Sequence, residues 1–434
     1  MSEKHAPAGL AELAGMLMSL DDLLVSCMRC GFCQSVCPVY GATFREADVA
    51  RGKIALLEDL ARELTEDADN VSDRLDRCLL CGSCESNCPS GVAVMDIFLR
   101  ARCIVAGWKG LSAAKRLILR NVLTRPVLFN LLVRFSSLGQ KLVMRRASPR
   151  QGTGKAPMLE RFLGDRHVPA LPKTTFASAR GRIDLAGRGP KVALFPGCVP
   201  DKLFGSLAEA TLRILKKHDC GVFCPSDELA CCGIPSLASG DMSSFKELVG
   251  LNLKALSGHE FDYLVTPCAT CASNIKENWR RFKGRFDRGE RAAVEEIGPR
   301  TMDMTSFLVR VLKVDFKAVS GPGKVVTYHD PCHLKKSLGV SAEPRTILKS
   351  LPGFNYKEMP EADRCCGNGG SFNLSHYDLS KDIGSRKRAN IMSVKPDVVA
   401  TGCPACMLQL NDMLSRNGDP VEVRHVVELY AETL

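Results

Sequence analysis

The sequence predicts an α+β protein of several domains, and three observations carry that prediction. Its 21 cysteines fall in clusters, a strongly basic stretch separates those clusters, and the C-terminal half repeats itself. The expected order is a mainly helical domain over residues 1–110, a basic helical linker over 111–189, and two pseudo-repeated α/β domains over 190–315 and 316–434. A chain of 434 residues with 45% hydrophobic content has enough apolar mass for two or three such domains.

The helical domain is defined by one motif written twice. The first copy is Cys27-x2-Cys30-x2-Cys33-x3-Cys37-Pro38, and the second is Cys78-x2-Cys81-x2-Cys84-x3-Cys88-Pro89. This is the bacterial ferredoxin run for two [4Fe–4S] cubanes. Three thiolates at short, even intervals wrap one corner of a cube, and the fourth is carried away toward the other cluster. The spacing therefore assigns one cubane to Cys27, Cys30, Cys33 and Cys88, and the other to Cys78, Cys81, Cys84 and Cys37. Zinc is the alternative ligand for Cys-x2-Cys pairs, but zinc needs neither the third cysteine nor the Cys-Pro ending. No signal peptide is expected in Met1–Leu20, and clustered cysteines in a long chain point to metal binding in a reducing, cytoplasmic setting. No run of 18 apolar residues predicts a transmembrane helix.

The linker carries the charge. Arg100–Pro190 holds 19 Lys plus Arg against three acids, Glu160, Asp165 and Asp184. Within it, Ala113–Arg146 has eight basic residues and no acid, interleaved with Leu, Val, Ile and Phe. Two readings stand: a connector packed on its own protein with a solvated basic face, or an amphipathic helix lying on the anionic inner face of the cell membrane. Nucleic acid is not an expected partner, because no recognition module accompanies the charge. Pro126 is expected to interrupt the linker helix. Gly152-Thr-Gly154-Lys155 lacks the strand and first glycine of a phosphate loop.

The repeat is read from five cysteines on each side. Lys191-Val-Ala-Leu-Phe-Pro-Gly-Cys198 matches Lys324-Val-Val-Thr-Tyr-His-Asp-Pro-Cys332. Cys231-Cys232-Gly233 matches Cys365-Cys366-Gly367, and Cys268-x2-Cys271 matches Cys403-x2-Cys406. The offsets are 134 residues for Cys198 to Cys332 and for Cys231 to Cys365, and 135 for the last pairs, so a domain is duplicated. Short apolar strands alternate with helices such as Leu203–His218, which argues a parallel sheet in each repeat with ligands at its carboxyl ends.

The pattern Cys…Cys-Cys-Gly…Cys-x2-Cys resembles the cysteine-rich CCG domain of heterodisulfide reductase. It is also found in iron–sulfur subunits of glycolate oxidase, D-lactate dehydrogenase and anaerobic glycerol-3-phosphate dehydrogenase. The segment Leu75–Val92 and the ending Val423–Tyr430 are most similar to the glycolate oxidase subunit, while the complete Cys403-Pro-Ala-Cys406 matches the lactate and heterodisulfide branches. The resemblance implies that Cys198, Cys231, Cys232, Cys268 and Cys271, and Cys332, Cys365, Cys366, Cys403 and Cys406, hold up to two further non-cubane [4Fe–4S] clusters, with zinc in either repeat as the alternative. It implies an electron-transfer subunit of a glycolate or D-lactate dehydrogenase that draws electrons from a FAD-binding partner and passes them to a quinone or another carrier. The other reading is a heterodisulfide-reductase-like chain that reduces a disulfide itself, and a zinc-stabilised scaffold with two cubanes is the third.

The chain shows no G-x-G-x-x-G, Walker motif or Ser-His-Asp set, so no residue is read as catalytic or as binding an organic cofactor. Oxidation of a 2-hydroxy acid needs a two-electron carrier, which places FAD on the partner chain only. His329 and His333 flank Cys332 and read as hydrogen-bonding support or as proton donors. Lys335 and Lys336 read as a solvated helix start, and Cys103, Cys220 and Cys224 as small apolar residues.

Overall fold

The computed structural model describes residues 9–160, 164–319 and 321–434; Met1–Ala8 of the expected first domain lie outside them. The chain forms two compact units, and neither is continuous. One comprises the chain up to Asn121 with Gly233–Phe245 and Gly367–Ile383; the other comprises Val122–Cys232, Lys246–Cys366 and Gly384–Leu434. Both inserted segments of the first unit begin at the glycine of a Cys-Cys-Gly.

The first unit is helical among the described residues, and it runs past the expected boundary at residue 110. Its main helices are α1 (Leu10–Met18), α2 (Ala50–Ala61), α3 (Ala68–Asp76) and α4 (Val94–Lys109). Each buries one stripe at helical spacing: Leu13 and Leu17 in α1, Ile54, Leu57 and Ala61 in α2, Ile97, Phe98, Ala101 and Val105 in α4. The Asp67 carboxylate caps α3 by accepting from the Asn70 amide at 3.0 Å. The motif loops repeat one another in backbone as well as in sequence. Gly31 and Gly82 sit at φ 89° and 70°, and Arg29 and Leu80, one residue before the second cysteine of each motif, also have positive φ, at 56° and 52°. Left-handed turns on both sides of that cysteine curl the loop, and glycine makes the second turn without steric cost. Arg102 of α4 is 5% exposed and holds the unit together. Its guanidinium donates to the carbonyls of Leu75 (2.5 Å), Cys78 (2.8 Å) and Ala238 (2.7 Å).

The second unit contains three sheets. A small one joins β1 (Arg145–Ser148), β2 (Thr153–Lys155) and β3 (Val168–Pro169), all antiparallel. The next has five strands: β4 (Arg182–Leu185), β5 (Lys191–Leu194), β6 (Gly221–Pro225), β7 (Tyr263–Thr266) and β8 (Thr301–Asp303), in spatial order β4-β6-β5-β7-β8. The last has β9 (Lys324–His329), β10 (Phe354–Tyr356), β11 (Val398–Thr401) and β12 (Glu422–His425), in order β10-β9-β11-β12. Within each repeat the strands are parallel and follow the order 2-1-3-4, so the duplication extends to topology; β4 adds an antiparallel edge to the first. A helix follows the first strand of each repeat, at Gly205–Lys217 and Ala342–Ser350.

One apolar cluster runs through both repeats, from Val192, Leu194 and Leu215 to Val326, Tyr328, Ala400 and Leu429. Polar contacts fix the same junction. Ser206 donates to Glu428 at 2.7 Å, Arg213 to the Ala431 carbonyl at 2.5 Å, and His218 meets the Tyr430 hydroxyl at 2.9 Å.

The linker is helical only in part. As expected, its helical run is interrupted at Pro126: the turns Ala113–Leu117 and Ile118–Val122 end before it, and Pro126 is the first residue of a new helix, α5 (Pro126–Val143), where a missing N–H costs nothing. Beyond Val143 the chain turns into β1–β3, docked on the second repeat. Gln151 donates to the carbonyls of Asp419 (3.0 Å) and Val421 (2.6 Å), and Thr153 and His167 both meet the Ser415 hydroxyl, at 2.6 and 2.7 Å. Gly154 lies in β2, not in a phosphate loop.

Replacing Arg102 with Met should destabilise the first unit by at least about 2 kcal/mol, because three carbonyls lose a charged donor. The check is the thermal transition of the anaerobically assembled chain; an unchanged transition would show that Arg102 is dispensable.

Candidate metal centres

The first unit gathers Cys37 with the second motif rather than with its own. Cys37, Cys78, Cys81 and Cys84 line one cavity with Lys53 and Phe98, and Cys88 is not in its wall. Burial pushes the Cys37 thiol up to about 12 and raises Cys84 well above the usual thiol range; in each case neighbouring cysteine charges add to it. Such a set ionises only if a cation takes up the charge. Donors are already in place: the amides of Tyr40 and Leu80 point at the sulfurs of Cys37 and Cys78, both at 3.4 Å. Cys33 is raised by burial and interacts electrostatically with Cys27 and Arg51, while Cys30 is exposed.

Lys53 was not legible as part of this site. It is 2% exposed, its ammonium donates to the Asp48 carbonyl, and it faces Cys78 and Cys37. Burial lowers its pKa, and the thiolates act against that.

In the second unit the cysteines sit where the topology puts ligands. In a 2-1-3-4 sheet the crevice opens at the carboxyl ends of the first and third strands. Cys198 and Cys268 follow β5 and β7, and Cys332 and Cys403 follow β9 and β11. Cys198 lies 3.7 Å from Cys231, sulfur to sulfur, and that contact with burial raises its pKa. Cys271 is in thiol contact with Cys232 and Cys268. Gly197, at φ 86°, stands so close that a Cβ there would lie 3.0 Å from the Cys271 sulfur. In the second repeat Cys406 is in thiol contact with Cys366 and Cys403. The two sets also meet each other, because the thiols of Cys268 and Cys403 are in hydrogen-bond reach and Thr270 is 3.3 Å from the Cys403 sulfur.

The first double cysteine is clamped by polar residues that spacing alone does not reveal. Asn252 donates to the Cys231 carbonyl at 3.0 Å, and Asn274 and the fully buried Trp279 donate to the Cys232 carbonyl at 2.7 and 3.0 Å. In the second repeat the counterpart is Lys387, 0% exposed, which donates to the carbonyls of Glu361 (2.6 Å) and Ala362 (3.2 Å) and faces Cys366, Cys332 and Cys365. Burial lowers its pKa to about 8, and the thiolates oppose the shift.

His333 hydrogen-bonds Thr270 at 3.1 Å. Lys335 pairs with Asp363 at 3.1 Å, so it is not simply solvated. Cys220 and Cys224 are buried at the first sheet, and Cys103 is half-buried in α4.

Known proteins match this arrangement. The cysteine-rich domain family covers residues 192–276 and 326–411, and the 4Fe-4S dicluster domain covers 24–92. The probable glycolate oxidase iron-sulfur subunit of Bacillus subtilis is 32% identical over 425 residues, 94% of each chain. The chain belongs to the glycolate oxidase iron–sulfur subunit family. Lactate utilization protein A of Geobacillus thermodenitrificans is 31% identical over 55% of this chain and 98% of its own length. One subunit of the dihydromethanophenazine:CoB–CoM heterodisulfide reductase of Methanosarcina acetivorans is 27% identical over 97% of this chain and 95% of its own. Members of this family are iron–sulfur subunits of oxidoreductases, and the cubane and CCG motifs fall inside the matched domains.

We expect Cys37→Ser to remove the same EPR signal that Cys78→Ser removes, and Cys33→Ser to remove the other. If Cys37→Ser and Cys33→Ser remove one and the same signal, each motif serves its own cluster. Lys387→Met should lower the reduction potential of the second repeat's centre. A unit charge at 4 Å in an effective dielectric of about 20 is worth about 4 kcal/mol, so a somewhat more distant one should shift the potential by on the order of 100 mV. An unmoved potential in a redox titration would remove Lys387 from the site.

Proposed function

We propose that this chain is the electron-transfer subunit of a FAD-dependent glycolate or D-lactate dehydrogenase. Electrons arrive from a flavoprotein partner and leave to a quinone or another membrane carrier. The observation that carries the reading is the combination of eighteen cysteines in four metal-binding patterns with no loop for a two-electron cofactor. The eighteen ligands are Cys27, Cys30, Cys33 and Cys88 for one cubane; Cys78, Cys81, Cys84 and Cys37 for the other; and the two CCG sets for two further centres. Bound clusters would supply one-electron redox chemistry. The protein's own part is to hold the thiolates, exclude water and place Lys53 and Lys387 as compensating charges.

The test is anaerobic stopped-flow bleaching of the assembled chain. Glycolate or D-lactate should bleach it only when the flavoprotein partner is present. Bleaching by substrate in the isolated chain would overturn the subunit reading.

The contact of the two CCG sets at Cys268 and Cys403 favours one second reading, reduction of a disulfide at paired centres, in keeping with the heterodisulfide reductase relative. Rapid reoxidation of the reduced chain by a disulfide, but not by quinones, would select it.

We further propose that α5 rests on an anionic membrane surface. Among the described residues no helix is long and apolar enough to cross a membrane. Yet Val127, Leu131, Phe135, Leu138 and Leu142 are 44–87% exposed. At 3.6 residues per turn these five fall within about 80° of arc. Val133 and Ser137, on the opposite side of the helix, are buried. Arg125, Arg134, Arg145 and Arg146 are exposed on and beside it. An apolar stripe edged by arginine suits the boundary between headgroups and acyl chains. The double variant Phe135→Ser/Leu138→Ser should bind phosphatidylglycerol vesicles at least about tenfold more weakly, since fully burying a Leu or Phe is worth about 1.5–3 kcal/mol. Equal binding in a flotation assay would refute the docking, as would loss of the flavoprotein contact in place of lipid binding.

A further inference from the structure

The two CCG centres have matching cysteines but different surroundings, and one difference falls at an equivalent step of the two repeats. His329 ends β9 three residues before Cys332; Phe195 stands three residues before Cys198. Both are 0% exposed. The repeat therefore carries a phenylalanine in one domain and a histidine in the other at the same step of the same fold.

The imidazole is not spent on the surrounding protein. Neither ring nitrogen of His329 finds a nitrogen or oxygen partner, and its electrostatic partner is the Cys366 thiol. A histidine that is fully buried normally satisfies at least one nitrogen. What it approaches is sulfur: ligand atoms of His329, Cys366 and Cys406 all lie within 4.8 Å of one another. These three are the only described group of His, Cys, Asp or Glu side chains so arranged. The parallel register brings this about. β9 lies beside β11, with His329 level with Thr401, so both strands end at the same edge and the ring meets the cysteine of the helix that follows β11. Sequence adjacency pairs His329 with Cys332, whereas the fold brings it to Cys366 and Cys406.

We propose that His329 is a nitrogen ligand of the metal centre in the second repeat, making that centre a mixed Cys/His site and leaving the first all-sulfur. Neutral imidazole is a common donor to iron and to zinc. Where a neutral imidazole holds a position at the metal that a thiolate would otherwise take, the centre carries less negative charge, and in Rieske centres this accompanies a higher reduction potential. The two otherwise duplicated centres would then differ in potential, which gives the pair a direction. The inference rests on the reading that the second repeat binds metal; the metal content of the unmodified chain tests that reading separately.

The experiment uses the full chain assembled without oxygen, with natural-abundance and with 15N-labelled histidine. For an iron centre, pulsed EPR of the reduced protein should show a histidine nitrogen coupling of the size of direct ligation, and His329→Phe, which copies Phe195, should remove it. The same variant should lower the potential of that centre and leave the others unmoved. His329→Cys guards against a folding defect: it should keep the metal and lose the coupling. For a zinc centre, X-ray absorption at the zinc edge should show a nitrogen scatterer that His329→Cys replaces with sulfur. A coupling only as large as that of a hydrogen bond, a coupling that survives in His329→Phe, or an all-sulfur shell in the unmodified chain would overturn the assignment.

Discussion

Crowding of thiols in an interior poor in water is the constraint on which the rest of this protein depends. Cys198, Cys231, Cys232, Cys268 and Cys271 gather at one sheet edge; Cys365, Cys366, Cys403 and Cys406 gather at another, with Cys332 beside Lys387 there; and Cys268 and Cys403 touch. Contact with neighbouring thiols and burial push Cys198, Cys268, Cys271 and Cys406 well above the usual thiol range, while hydrogen bonds from neighbouring thiols hold Cys366 and Cys403 well below it. A neutral cluster of this many thiols makes weak hydrogen bonds and packs poorly, so the arrangement becomes favourable only when a multivalent cation centre binds the thiolates. The same holds for Cys37 among Cys78, Cys81 and Cys84.

The fold answers that constraint with backbone and charge. Parallel strands end together, which lets cysteines distant in sequence share one crevice. Glycines open room at Gly197, Gly31 and Gly82. Asn252, Asn274 and Trp279 fix the carbonyls of the first double cysteine, so its side chains are aimed before metal arrives. Lys53 and Lys387 bring buried positive charge to sites that would otherwise accumulate negative charge. Each lysine is tolerated there because its ammonium has backbone carbonyl acceptors.

Much of this was legible in the sequence, for physical reasons. Ligand spacing is local, so both cubane motifs and both CCG sets can be read directly. Short apolar runs such as Val192–Leu194 and Val398–Ala400 mark buried parallel strands, and the near-constant offset between the two cysteine sets reveals the duplication. What was not legible depends on distant contacts. The strands Arg145–Ser148 and Thr153–Lys155 are too short and too polar to signal themselves; they form because Gln151 and Thr153 find partners at Asp419 and Ser415, more than half the chain away. That Gly233–Phe245 and Gly367–Ile383 belong to the helical unit has no local signature at all. A buried lysine looks like any solvated one, and the partners of His329 follow from strand register, not from its neighbours in the chain.

On the proposed function all four cysteine sets are redox metal sites and none is a structural scaffold. Iron and zinc analysis of the chain assembled without oxygen, read together with its Mössbauer spectrum, tests it most directly. The account predicts about 16 irons per chain, four for each of four centres, and little zinc. About eight irons with two zincs would contradict it, leaving only the two cubanes to carry electrons.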